Sequence, residues 1–130
     1  MQTGRKNVHG KGGVRFKTGY TSSKQKGQVR NLVTELVIYE KVTVCTGMVK
    51  DVIHQFDRLV TYAKKGDLHS KRLAASVLKK YDVNDVDALD KLFTDLAKRF
   101  ENRNGGYLRV LKLENRRGDN APRRLLVLAD

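Results

Sequence analysis

Apolar positions recur with a helical period from residue 22 onward. Val29, Leu32, Val33, Leu36 and Val37 predict a helix from a Ser22 or Ser23 cap to about Tyr39. Lys41 to Cys45 (KVTVC) is short and β-branched, so it reads as a strand. Thr46 is placed to cap a second helix reaching about Lys65. Its buried stripe is Val49, Val52, Ile53, Phe56, Leu59, Val60 and Ala63, and Gly66 is its stop. Asp67 is placed to cap a third helix, with Leu73, Ala74, Val77 and Leu78 inward. A fourth spans about Val86 to Arg103, with Leu89, Leu92, Phe93, Leu96 and Phe100 on one face, and Asn104-Gly105-Gly106 breaks it. Tyr107 to Leu113 and Arg123 to Leu128 read as strands. Between them, Glu114 to Pro122 (ENRRGDNAP) has the composition of a turn. The expected fold class is α/β two-layer (α+β), in the order α-β-α-α-α-β-β, with helices covering a small three-stranded mixed sheet. Residues 22–130 are expected to form that single domain. Residues 1–21 form a basic, Gly-rich arm, expected to be disordered without a binding partner.

Charge changes this picture. The chain has 130 residues and 39% hydrophobic residues, enough for one modest core. Its net charge is +13, with a pI of about 10.1. Arg5, Lys6, Lys11, Arg15, Lys17, Lys24, Lys26 and Arg30 all precede the first acid, Glu35. From Glu35 to Glu101 the balance is 12 basic to 11 acidic residues, and from Asn102 to the end it is 7 to 3. The excess therefore sits in the arm and in the C-terminal hairpin, mounted on an ordinary solvated body. Such a balance calls for a polyanion, either nucleic acid or an anionic membrane surface. No apolar run approaches the roughly 18–20 residues of a membrane span. Met1 to Tyr20 has no apolar h-region, so no secretory signal is expected. The one cysteine, Cys45, allows no internal disulfide and suits a reducing cytoplasm.

Several motifs invite chemistry and have plainer readings. Gly10-Lys11-Gly12-Gly13 lacks the upstream glycine, the following Ser/Thr and the preceding strand of a P-loop, and reads as a flexible basic segment. Cys45, His54 and Asp57 contain the residue types of a thiol nucleophile with its base. A half-buried cysteine and a surface histidine explain them better. His9, His54 and His69 lack metal-ligand spacing. Asp82, Asp85, Asp87 and Asp90 suit a helix N-terminus better than a magnesium site. Arg116 and Arg117 beside Gly118 are stronger candidates, because guanidinium groups fork onto phosphates and nothing nearby is expected to neutralise them. Asp119 and Asn120 are expected to shape that turn by accepting backbone N–H bonds. Arg103, Tyr107 and Arg109 flank the Gly105-Gly106 turn. Tyr107 has two open readings, a base-stacking ring or a core tyrosine. No catalytic residue, metal or cofactor is assigned. A free-standing nucleic-acid binder and a small ribonuclease remain alternatives, the latter disfavoured by scattered histidines.

Specific segments then match a known pattern. KTGYTSSKQKGQVRNL (Lys17 to Leu32), KKGDLHSKRLAA (Lys64 to Ala75), KLF (Lys91 to Phe93), RFENRNGGYLRVLKL (Arg99 to Leu113) and RRGDNAP (Arg116 to Pro122) occur in order. From Lys17 to its end the chain resembles the bacterial large-subunit ribosomal protein number seventeen family. The resemblance implies a two-layer α/β fold, no catalysis, and binding to large-subunit rRNA near the outer end of the nascent-peptide tunnel. It also implies neighbouring large-subunit proteins as partners, with no membrane and no small-molecule substrate. The chain departs from the family at Met1 to Phe16, which are extra, and at Tyr20 and Gln25, where the family tends to have arginines. It departs again at Gly47 and Met48, where alanine and lysine tend to stand. The RNA-binding expectation covers Arg5, Lys6, Lys11, Arg15, Lys17, Lys24, Lys26, Arg30, Arg103, Tyr107, Arg109, Arg116 and Arg117.

Overall fold

A computed structural model describes residues 21–81 and 86–130. Helix α1 (Ser22–Tyr39) starts one residue earlier than a Ser22 or Ser23 cap would allow. Thr21 is the cap: its backbone is extended and its Oγ1 accepts from Lys24 N–H at 3.3 Å. In a Thr-Ser-Ser run any of the three can cap, and the choice falls to the residue whose backbone is not yet helical. The helix ends at Glu40, a non-glycine residue at φ 62° whose N–H donates to Leu36 O at 2.9 Å. Strand β1 (Lys41–Cys45) follows at once and buries Val42 and Val44.

Thr46 does not cap the second helix with its side chain. A 3-10 turn, Thr46–Met48, intervenes, and the Thr46 N–H and hydroxyl both donate to Pro122 O at 3.1 Å. Helix α2 (Val49–Lys65) buries Val52, Phe56, Leu59, Val60 and Ala63, as its periodicity predicts. Gly66, at φ 68°, closes it with an N–H bond to Tyr62 O. Asp67 caps α3 (Leu68–Val77) through Ser70 N–H at 2.8 Å. The inward positions of α3 are Ser70, Ala74 and, just past its end, Leu78. Leu73 is 37% exposed, because it lies one position off that four-residue row.

Helix α4 runs from Ala88 to Arg99, shorter at both ends than the periodicity suggests. Asp87 caps it through Leu89 N–H at 3.0 Å. Its middle, Leu92–Leu96, is π-helical, with the Ala97 N–H bonded to Leu92 O. The buried row is Ala88, Leu92, Leu96 and Phe100, a strict spacing of four. On an α-helix such a row drifts around the axis by roughly 40° per step, and a wider π-turn brings it back onto one face. Asp82 and Asp85 lie outside the described residues.

Strands β2 (Leu108–Lys112) and β3 (Arg123–Leu128) complete a sheet of order β1-β3-β2. The element order follows the hydrophobic pattern, but the sheet is antiparallel throughout rather than mixed. β3 is central: Val42 and Val110 both pair with Leu126, each in an antiparallel register. β1 and β2 run parallel to one another, so a mixed sheet would need them adjacent, and the hairpin places β3 between them. The helices cover one sheet face. The core joins Val33, Leu36 and Val37 of α1 to Phe56, Leu59, Leu92 and Leu126. No helix among the described residues is long and apolar enough to cross a membrane.

Candidate nucleic-acid interface

The topology gathers several basic residues at one end. α1 and β1 pack together and are joined by Glu40 alone, so the start of α1 and the end of β1 point the same way. Cys45 pairs with Arg123, which puts the β2–β3 loop at that same end. Lys24 and Lys26, both exposed, therefore share an end of the domain with Arg116 and Arg117. At the opposite end Lys91 and Arg99 are neutralised, while Lys41 and Arg109, both paired with Val127, are exposed. Glu40 takes Lys91 Nζ on one oxygen and Arg99 Nη1 on the other, each at 2.9 Å. The Lys91 and Arg99 hydrogen bonds hold the Glu40 carboxyl below its ordinary value. Lys91 also donates to Ile38 O, and Arg99 lies 3.6 Å from Asp130.

The loop tip is built by its own side chains. Asp119 Oδ1 accepts from Ala121 N–H at 3.2 Å, the Asx turn expected of it. Asn120 takes a left-handed conformation at φ 54°, and its Oδ1 accepts from Asn115 Nδ2 rather than from the backbone. Gly118, at φ 102°, occupies a conformation that side chains disfavour. Arg116 N–H donates to Ala121 O at 2.8 Å.

Arg116 is not left unneutralised, contrary to the expectation for this pair of arginines. Its Nε donates to Asp119 Oδ1 at 3.1 Å and its Nη2 bonds the second oxygen of the same carboxylate. Its Nη1 lies 3.9 Å from the half-buried Cys45 Sγ. The signal lies in the i, i+3 spacing of Arg and Asp, which a tight turn makes into a two-pronged pair. Arg117 is exposed, and no described residue bonds it.

The Asp119 carboxyl is pulled down to about 2, first by the Arg116 hydrogen bond and then by Ala121 N–H. Its folded value lies below its unfolded value. The clasp therefore contributes fully above the unfolded pKa of about 4 and is lost as pH falls through the folded one. A carbon-detected titration should place the Asp119 midpoint near pH 2, and a midpoint near 4 would show that the clasp is open in solution.

Other candidates are committed to the fold. Arg103 donates from Nη1 to Gly106 O at 3.2 Å and from Nη2 to Asp130 O at 2.7 Å, tying the turn to the C-terminus. Tyr107 is 5% exposed, its ring 5.1 Å from that of Phe100, and its hydroxyl donates to Arg103 O. Lys64 Nζ sits 5.2 Å from the ring centre and also donates to Arg103 O. Of its two open readings, the structure takes the core one: the ring cannot stack on a base without leaving the core. Arg30 Nε donates to Val77 O at 2.8 Å, bracing α1 against α3. Arg109 is exposed on β2 beside Leu111. Arg5, Lys6, Lys11, Arg15 and Lys17 lie outside the described residues.

Sequence reasoning passes over Lys112, Arg123 and Arg124 at the foot of the hairpin. Lys112 pairs in register with Arg124, and Arg123 Nε donates to Glu114 O at 3.0 Å. The RRLL doublet is the signal, but membership of a strand hides its place beside the loop. Among the described residues no group of His, Cys, Asp or Glu is placed to hold a metal, and His54 is exposed on α2.

Comparison with known proteins gives these features a context. Over 107 residues the chain is 50% identical to the large ribosomal subunit protein bL17 of Mycoplasma capricolum, covering 82% of this chain and 90% of the relative. It is 43% identical to the protein of the same name from Lactococcus lactis, covering 86% and 96% of the two chains. The model of the family described as ribosomal protein L17 matches residues 28–129, a stretch that contains Arg30, Arg103, Tyr107, Arg109, Arg116 and Arg117 and all of the sheet. With that match and these identities, the chain belongs to the ribosomal protein L17 family.

Proposed function

We propose that this chain is a structural, non-catalytic constituent of the large subunit of a bacterial cytoplasmic ribosome, and that it holds rRNA segments together by neutralising phosphates. The observation that carries the reading is the family match across residues 28–129. The sorting of charge supports it. At one end Lys24, Lys26 and Arg117 have no acidic partner among the described residues, while at the other end Lys91 and Arg99 are matched by Glu40 and Asp130. In this reading the arm residues Arg5, Lys6, Lys11, Arg15 and Lys17 join Lys24, Lys26, Arg109 and Arg117 as phosphate contacts. Arg103, Tyr107 and Arg116 hold the surfaces that present them, and Arg30 braces α1 through its Nε while its terminal nitrogens are bonded by no described residue. A position near the outer end of the nascent-peptide tunnel, among neighbouring large-subunit proteins, accords with the family resemblance.

Sucrose-gradient fractionation of lysate at moderate and high salt tests the assignment. Retention on the large subunit supports it, and a free pool at both salts favours a free-standing nucleic-acid binder. Crosslinking of the bound chain to a nascent peptide just emerging from the subunit tests the tunnel position. Binding to cognate rRNA should weaken steeply with salt. Six phosphate contacts give a slope of log K against log salt of about −4 on single strands and about −5 on duplex. A salt-independent affinity would remove the electrostatic account.

The two loop arginines should separate. Arg117→Ala is expected to cost about 1–3 kcal/mol of rRNA binding, with stability unchanged within about 0.5 kcal/mol. Arg116→Ala should loosen the loop and release the Asp119 carboxyl towards its ordinary value. Filter binding alongside the Asp119 titration reads both effects. Equal losses of affinity with an unmoved Asp119 would mean that Arg116 also touches phosphate directly.

A further inference from the structure

A cleft of about 340 Å³ opens between α1, the first turns of α2 and the end of α3. Val29 and Val77 supply apolar lining, and both pack against the core behind it. Gln25, Lys26 and Arg30 line it from α1, and Asp51, His54 and Gln55 from α2. Three features set it apart from an ordinary crease. The Gln25 side-chain oxygen is buried with no hydrogen-bond partner among the described residues, and a buried amide oxygen without a donor is rare in a folded protein. Arg30 is fixed by its Nε bond to Val77 O, and no described residue bonds its terminal nitrogens. Lys26 is exposed at the rim, on the basic end of the domain.

The geometry points to this cleft as a receptor for one unstacked nucleotide of single-stranded RNA. The inference rests on the rRNA-binding reading and names a site within it. The volume lies at the low end of the roughly 300–1,000 Å³ typical of small-ligand sites, which suits one nucleotide and excludes a duplex. RNA is read by sequence mainly where bases are splayed out of the helix and met on their edges. Val29 and Val77 offer an apolar surface for the base face. Once its side chain turns into the cleft, the Gln25 oxygen offers an acceptor to a ring or exocyclic N–H. Lys26 and the outer end of Arg30 lie on the side where the attached phosphates need cations. An anionic backbone with an apolar base matches this lining better than an apolar protein side chain, which would leave the Gln25 oxygen without a donor. Asp51 already has a partner, so its carboxylate is not assigned to the nucleotide.

The test uses the full chain and four single-stranded pentanucleotides, one for each base. In the wild-type protein the Val29 and Val77 methyl resonances should shift on titration and show contacts to base protons. Gln25→Met keeps the shape of the side chain and removes the amide. It is expected to weaken the best-bound oligonucleotide about five- to tenfold with the salt slope unchanged. Lys26→Ala should instead reduce the slope by about 0.7, as for one phosphate on a single strand. The inference is overturned if the oligonucleotides bind while the two methyls stay still, or if the cleft methyls contact only protons of protein. The rRNA reading survives either result. Failure of any oligonucleotide and of large-subunit rRNA fragments to bind would remove both. The wild-type methyl data need no variant, so an unfolded mutant leaves the question decided.

Discussion

Removal of residues 1–16 should weaken binding to large-subunit rRNA about a thousandfold near 0.1 M salt and leave the body folded. The deletion takes away Arg5, Lys6, Lys11 and Arg15 and no acid. Each phosphate left without its cation forgoes about 0.7–0.9 log units of affinity per decade of salt, so four lower the slope by about 3. Among the described residues the core cluster runs from Val33 to Leu128, and the larger apolar residues of the deleted segment are only Met1, Val8, Val14 and Phe16. Helical content and melting temperature are therefore expected to hold. Filter binding at several salt concentrations, with circular dichroism on the same samples, reads both halves. Preserved affinity with an unchanged slope would show that the arm does not meet phosphate. A collapsed melting temperature would show that it packs on the body.

Phe100→Ala should produce the largest loss of stability, about 3–5 kcal/mol. Its ring is 1% exposed and ends the buried row of α4. It packs on Tyr107, whose hydroxyl reaches Arg103 O, and Arg103 in turn ties the Gly106 turn to Asp130. The cavity would therefore fall where the helical layer is joined to the hairpin. A domain of this size should lose roughly 10–20 °C in melting temperature, and about a third to a half of a mid-range stability of about 10 kcal/mol. Calorimetry checks this. A loss under about 1 kcal/mol would mean that the hairpin does not depend on this junction.

Glu40 is a third point of leverage on the same end. Its carboxyl lies below the ordinary glutamate value because Lys91 and Arg99 bond its charged form. The stabilisation is present above the unfolded pKa, near 4.5, and is lost as pH falls through the lower folded value. Glu40→Gln should flatten the acid limb of stability in that window. An unchanged acid limb, measured by melting against pH, would place the pair outside the stability of the domain.

Asp57 has the opposite sign. Burial raises its carboxyl, against the attraction of His54, and its Oδ1 is buried without a partner among the described residues. Ionisation at neutral pH therefore costs stability, which rises as pH falls through the folded pKa towards the unfolded one. Asp57→Asn should melt slightly higher than wild type at pH 7.

What the chain determined by itself was whatever depends on local period and local chemistry. The stripe from Val49 to Ala63 can be buried only on one side of a helix, and α2 buries it so. Gly66 and Asp67 stop one helix and start the next because positive φ and an accepting carboxylate oxygen are properties of single residues. The charge asymmetry needed only counting, and the ordered segments from Lys17 to Pro122 were enough to place the family. Tertiary structure decided what depends on neighbours distant in sequence. The antiparallel sheet follows from β3 lying between strands about 65 residues apart, which no local pattern encodes. Thr46 chose the Pro122 carbonyl over a capping role because the hairpin brought it there. Tyr107 and Arg103 became part of the core and its ties, and Arg116 was claimed by Asp119, while Arg117 stayed outward. An arginine reads alike in sequence whether it faces a phosphate or a carboxylate. Only the folded chain sets which of the two lies within reach.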